Sequence, residues 1–194
     1  MQQPTNPILI IVRGIPGSGK SYVAAALCHA LGEDRVVLLD PDTTDYTSEA
    51  YQRHVSAQLA EGVDPTLHAY RYLRAQAYEA IAAHKIIIWN QPFTNRDIFQ
   101  KMMGRLHTQA AESGTRLAVL IVEVQTDPAV AKERVVQRKA AGGHGPSDAT
   151  LQRRIDDYET FAEEGYKTIS VQGDTRVDES AQKILAALNS LVAE

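Results

Sequence analysis

Cysteine is nearly missing from this sequence. Cys28 is the only one in 194 residues, so no internal disulfide framework can staple the fold. Long apolar runs are missing too: none approaches the ~20 residues that carry a helix across a bilayer. The N-terminal stretch "MQQPTNP" has no basic start and no small-residue cleavage pattern, so it does not read as a secretory signal. An excess of basic charge is also absent. Lys and Arg number 20 against 24 Asp and Glu, a net charge of −4, which argues against nucleic-acid binding through bulk positive charge while leaving room for a local basic cleft. The expectation is a protein of the reducing cytoplasm with no membrane contact. Apolar residues at 44% and charged residues at 23% suit an ordinary globular chain with one sizeable core. Neither an internal repeat nor an interdomain linker is visible, so residues 1–194 read as one domain.

What the sequence does contain is alternation. Nearly continuous β-branched runs at 8–13, 35–39, 85–89, 116–124 and 167–171 read as strands covered on both faces. Helical patterns lie at 20–31, 65–84, 94–113, 127–140, 147–163 and 177–192. Start signals support several of them, such as Asp127-Pro128 as N-cap and first turn. Strands alternating with helices predict an α/β fold: a five-stranded parallel sheet with helices on both faces. Two stretches interrupt the pattern. Residues 41–64 form a polar insertion, and "AGGHGPSD" at 141–148 forms a glycine-rich break. Such segments in a compact domain are usually functional.

The strongest local signal is "RGIPGSGKS". Gly14, Gly19, Lys20 and Ser21 satisfy the phosphate-loop (Walker A) pattern GxxxxGK[ST] after a strand and at the start of a helix. Glycines let the backbone turn tightly and aim N–H groups at phosphate oxygens. Pro16, Gly17 and Ser18 complete the loop, and the following helix adds the positive end of its dipole. Lys20 suits the β- and γ-phosphates and the Ser21 hydroxyl suits Mg²⁺. Guanine-specific NTPases usually carry an NKxD element; none is present, which favours ATP over GTP. Cys28, in the helix that follows, reads as a small packing residue.

Asp40 and Asp42 follow the second strand in "VVLLDPDTTDY". Ligands of open α/β sheets sit past the carboxyl ends of the strands. A kinase needs a carboxylate there to take the proton of the acceptor hydroxyl, and a second can help hold Mg²⁺. Pro41 favours Asp42 as the base by pushing it outward, which leaves Asp40, with Ser21, for the metal.

These blocks resemble the zeta-toxin family of P-loop kinases, AAA-like ATP-binding kinases related to polynucleotide kinases. "RGIPGSGKS" followed by "LLDPDT" is similar to the family's GxPGSGK[ST] loop and later acidic pair. "ERVVQRKAAGGHGPSDATLQRRI" is similar to an R-V-x-x-R…GGH-x-P…R-R segment in the same family. The resemblance implies Asp42 as base beside Asp40. It also implies a substrate-side insertion at about 41–84, with Arg74 facing the acceptor. Were the chain a toxin-like kinase, a neutralising antitoxin would be its partner, though nothing in this one chain points to it.

Arg134 and Arg138 lie four residues apart, on one face of a helix. With Arg153 and Arg154 they flank Gly142, Gly143, His144 and Gly145. Guanidinium groups neutralise the charge spread over a transferring phosphoryl group, so residues about 134–154 read as an arginine-bearing lid, with Arg138 the leading catalytic member. The end of the third strand departs from many P-loop kinases: Asn90 and Gln91 stand where a metal-binding acid is common. An amide can bind an acceptor but brings Mg²⁺ no charge. Thr94, Asn95 and Arg96 follow as further cleft candidates. The leading expectation is an ATP- and Mg²⁺-dependent kinase acting on an alcohol group of a small molecule such as a sugar nucleotide. A polynucleotide 5′-hydroxyl kinase using Arg71, Arg74 and Arg96 stays open, as does an ATP-binding regulatory switch without transfer.

Overall fold

The computed structural model describes residues 6–143, 145–161, 165–173 and 177–193, the side chains of the last two excepted. Five strands form one sheet: β1 (Ile8–Arg13), β2 (Val36–Leu39), β3 (Ile86–Asn90), β4 (Ala118–Gln125) and β5 (Lys167–Gln172). Their order is β2-β3-β1-β4-β5 and every pairing is parallel. Seven α-helices accompany them: α1 (Lys20–Leu31), α2 (Glu49–Ala60), α3 (His68–Ala82), α4 (Arg96–Glu112), α5 (Pro128–Ala140), α6 (Asp148–Asp156) and α7 (Val177–Ala193). The α/β fold expected from the alternation is the fold observed. Among the described residues no helix is long and apolar enough to cross a membrane.

Side chains alternate across a strand, and here the alternation builds two cores. Leu9, Ile11, Ile87, Trp89 and Ile121 pack with Leu73 of α3 and Phe99 of α4 on one face. Ile8, Ile10, Val12, Ile88 and Val122 pack with Leu27 of α1 and Ile184 of α7 on the other. The same parity aims the polar residues at the strand ends. Asn90 continues the α1 face and reaches Ser21. Arg13 and Glu123 are opposite each other in the β1–β4 register and continue the α3–α4 face.

Two differences from the sequence pattern have physical causes. The polar insertion holds α2, which Ser48 caps through the Tyr51 amide. This helix buries none of its residues, so no apolar stripe announces it. The helix expected over 147–163 is α6 alone and ends at Asp156. Past it the chain abandons helical bonding because Tyr158 and the Phe161 amide both donate to the buried Glu123 carboxylate.

Arg13 and Glu123 form an ion pair 2.6 Å long with side chains 0% and 3% exposed. Removing one partner strands a buried charge. Glu123→Ala is expected to cost about 3–5 kcal/mol. Arg53→Ala, which breaks the exposed pair with Glu49, is expected to cost below ~0.5 kcal/mol. Urea unfolding followed by the fluorescence of Trp89, the single and fully buried tryptophan, compares the two.

Candidate functional site

A cleft of about 580 Å³ opens at the carboxyl ends of β1, β2 and β3. Its floor is the loop from Gly14 to Gly19. Gly17 and Gly19 carry φ of 84° and 95°, a left-handed geometry that disfavours side chains. Gly19 is also the N-cap of α1, and no side-chain hydrogen bond caps that helix. The Tyr22 and Val23 amides donate to the Gly19 carbonyl, and the helix turns its positive dipole end toward the cleft, where anions are the ligand it suits. Two contacts brace the loop from behind. The Thr126 hydroxyl donates to the Ser18 carbonyl over 2.9 Å. Arg134 donates to the Gly173 and Gly17 carbonyls over 3.0 and 3.4 Å.

Lys20 and Ser21 line the cleft beside Asp40 and Asp42. Asp40 is almost fully buried and accepts the Asp42 amide over 2.9 Å, which shapes the turn between them. Asn90 stands between the two halves of this group. Its Nδ2 donates to Asp40 Oδ2 over 2.6 Å and to Ser21 Oγ over 3.1 Å. Its Oδ1 is buried without a hydrogen-bond partner. An orphaned polar atom on a residue that lines the cleft calls for a bound polar group.

No group of three or more His, Cys, Asp or Glu side chains arranged for a metal occurs among the described residues. The residues still fit Mg²⁺, which takes few protein ligands and completes its shell with phosphate and water. Ser21 Oγ and Asp40 Oδ2 share one donor and so lie side by side.

Overhead, Arg138, Gly145, Ser147, Thr150, Arg154 and Tyr158 face the same space. Burial lowers the Lys20 pKa; Asp42 and Asp40 oppose this, while Arg138 and Arg154 add to it. Both arginines line the same cleft as Lys20.

The structure separates the sequence candidates. Gly17, Lys20, Ser21, Asp40, Asp42, Asn90 and Arg138 line the cleft together with Pro16, Gln91, Thr94 and Asn95. Gly14 and Ser18 lie beneath it, a Cβ on Gly14 falling 2.6 Å from Ser18 Oγ. Arg134 grips loop carbonyls and is not on the cleft wall. Neither are Arg153 and Arg96. Arg74 does not reach the cleft: its guanidinium lies over the rings of Tyr70 and Tyr78, 5.5 and 5.9 Å from their centroids. A substrate contact there would need it to leave both rings. Arg71 bonds Gln58 of α2. His144 lies outside the described residues.

Three participants escaped the sequence reading. Arg13, Glu123 and Tyr158 join the floor to the overhanging segment. Arg13 bonds Glu123 and the Pro92 carbonyl, and its guanidinium sits 3.5 Å from the Phe161 ring centroid. Tyr158 lines the cleft and donates to the other Glu123 oxygen. Burial pushes its phenol pKa up; Arg13 opposes this and Glu123 adds to it, so the hydroxyl stays a donor. The available signal was a charge inside each of two neighbouring apolar strands.

Comparison with known proteins agrees with this geometry. The profile of the AAA_33 family, described as an AAA domain, matches residues 9–164. The chain belongs to that family. Among solved structures it is similar to a gluconokinase from Sinorhizobium meliloti 1021, with 20% identity over 100% of this chain and 96% of that one, and a TM-score of 0.59. It is similar to Kti12 of Chaetomium thermophilum in complex with ADP-AlF3, with 16% identity over 93% and 98% of the two chains and a TM-score of 0.59. It is also similar to the PezAT toxin–antitoxin system of Streptococcus pneumoniae, with 13% identity over 98% and 88% and a TM-score of 0.58. At these identities the likeness is one of fold, that of P-loop kinases, and the fold implies nucleotide binding. No curated protein matches the chain.

The lowered Lys20 pKa has a measurable consequence. The ammonium loses its proton below the pH at which an ordinary lysine does, and the neutral form no longer attracts phosphate. ATP affinity of the free protein is expected to fall on the alkaline side below pH ~10.4, the ordinary lysine value. Lys20→Arg should move that limb upward, since a guanidinium keeps its charge. Titration calorimetry from pH 7 to 10.5 reads both.

Proposed function

We propose that the protein is an ATP-dependent kinase that transfers the γ-phosphate to a hydroxyl of a small molecule. The observation that carries this reading is convergence: Lys20, Asp42, Arg138 and Arg154 line one cleft over a phosphate loop. The Kti12 relative, described in complex with ADP-AlF3, supports an adenine nucleotide as the donor. The single thiol of the chain suits the cytoplasm, where ATP is supplied.

In this reading the loop amides and Lys20 hold the triphosphate. Ser21 and Asp40 hold Mg²⁺, which neutralises charge along the phosphate chain when bound. Asp42 accepts the proton of the acceptor hydroxyl as that oxygen bonds to the γ-phosphorus. The bond from phosphorus to the β–γ bridging oxygen breaks, and ADP leaves with the electron pair. Arg138 and Arg154 offset the charge on the equatorial oxygens, where fixed guanidinium groups act most strongly. The overhanging segment excludes water, which would otherwise take the phosphoryl group.

The test is label transfer from [γ-³²P]ATP to UDP-sugars, nucleosides, free sugars and a 5′-hydroxyl oligonucleotide. Asp42→Asn is expected to lower transfer by ~10²-fold or more while ATP affinity stays unchanged, as befits a general base. Lys20→Ala is expected to lower both. Transfer that survives Asp42→Asn would remove Asp42 from the reaction. An ATP-dependent partner with no acceptor would replace the kinase reading by a switch.

A further inference from the structure

The charges of the cleft are unevenly placed. Its cations among the described residues are Lys20, Arg138 and Arg154, and all three belong to the phosphate loop or the segment above it. All three line the one cleft that the loop residues Ile15, Pro16 and Gly17 also line. The sheet order explains which side is left. The loop follows β1, and β3 and β2 lie on one side of it while β4 and β5 lie on the other. The cleft wall on the β3 side is made by the segment after Asn90.

That wall consists of Gln91, Phe93, Thr94, Asn95 and Ile98. It carries amides, a hydroxyl and apolar surface, and no charged side chain. The Gln91 carbonyl oxygen already accepts the Trp89 ring N–H over 3.0 Å, so its amide nitrogen is the group left to face a ligand. Ile98 is 52% exposed on the first turn of α4 and offers an apolar contact at the rim. Phe93 lines the wall from the core, 5% exposed and packed against Trp89 and Phe99, in a backbone conformation with φ of 48°, uncommon for a bulky residue.

Asp40 and Asp42 follow β2, the edge strand beyond β3, and line the same cleft. They repel an anion approaching the acceptor position. The three cations face a triphosphate that more than matches them in charge, and the Mg²⁺ that offsets part of it travels with the nucleotide. Among the described residues that line the cleft, none on the β3 side carries a positive charge to hold a second anion.

We propose that the acceptor is an uncharged polyhydroxyl compound with one apolar face, such as a nucleoside or a glycoside. This rests on the kinase reading above and narrows it. It departs from a sugar nucleotide, a sugar acid or a polynucleotide end, each of which brings negative charge to the β3 side. Neutral amides recognise hydroxyl groups by hydrogen bonds, and Phe93 and Ile98 cover the apolar face of a ring.

The experiment uses a small-molecule cell extract separated by ion exchange into uncharged, anionic and cationic fractions. Each is incubated with the full-length protein, Mg²⁺ and [γ-³²P]ATP, and label in organic phosphate is counted. Transfer confined to the uncharged fraction and lost in Lys20→Ala is the expected result. With that fraction, Ile98→Lys should raise the apparent KM at least several-fold and leave ATP affinity unchanged. Lys20-dependent transfer to the anionic or cationic fraction would overturn the inference while upholding the kinase. An unchanged KM in Ile98→Lys would remove the β3-side wall from acceptor binding and overturn it as well. Absence of Lys20-dependent transfer from every fraction would instead overturn the kinase reading, and this inference with it.

Discussion

A phosphate loop works only if its backbone amides stay unsatisfied and its shape is held from outside. The Arg13–Glu123 pair supplies much of that hold. Arg13 is the last residue of β1 before Gly14, so any shift in its position moves the loop. It is fixed by Glu123 from the adjacent strand, by the Pro92 carbonyl from the β3–α4 segment, and by the Phe161 ring. Glu123 in turn receives the Tyr158 hydroxyl and the Phe161 amide. One buried charge pair therefore connects the loop, the acceptor-side wall and the return of the overhanging segment. Burying two charges is costly unless every remaining lone pair finds a donor. Glu123 comes close to that condition with donors from Arg13, Tyr158 and the Phe161 amide, while Arg13 Nη2 is buried without a hydrogen-bond partner and the guanidinium lies on the Phe161 ring.

The division of labour follows from the period of a strand. Residues 12, 90 and 122 share parity with the α1 face, whereas 13, 89 and 123 belong to the α3–α4 face. Asn90 thus meets Ser21 at the start of α1, while Arg13 and Glu123 anchor the aromatic residues that close the opposite side. A one-residue slip in β3 would exchange Asn90 with Trp89. The amide would be buried in an aromatic core and the cleft would lose the donor that joins Asp40 to Ser21.

Most of the fold was legible because each strand is a short apolar run and each main helix has a cap or a loop signal. That the phosphate loop, Asp40, Asp42, Asn90 and Arg138 would meet around one cleft was legible as well, since strand ends and a fixed spacing bring them together. Arg74 was not. Its place depends on Tyr70 and Tyr78, which sit four residues to either side and offer their rings as an alternative to the cleft. Arg134, read as a partner of the nucleotide, donates to the Gly17 and Gly173 carbonyls, a contact that spacing alone does not announce. Glu123 was hidden in "AVLIVEVQ" because alternation says which face a residue takes and not what waits there. The early end of α6 was hidden for the same reason: Tyr158 and Phe161 leave the helix for a tertiary partner 35 or more residues away in the chain.

Asn90 shows why the cleft tolerates an amide where an acid is common. Its nitrogen lies 2.6 Å from Asp40 Oδ2. A carboxylate in its place would set two like charges at contact distance, and one of them would hold a proton near neutrality. The amide avoids this by donating to Asp40, which it holds beside Ser21. In the proposed reading the protein would offer Mg²⁺ one carboxylate, from Asp40, and one hydroxyl, from Ser21. The remaining ligands must come from the nucleotide and from water. Metal and nucleotide are then expected to bind together, with neither held strongly alone, and the charge of the site is completed only when its donor substrate is present.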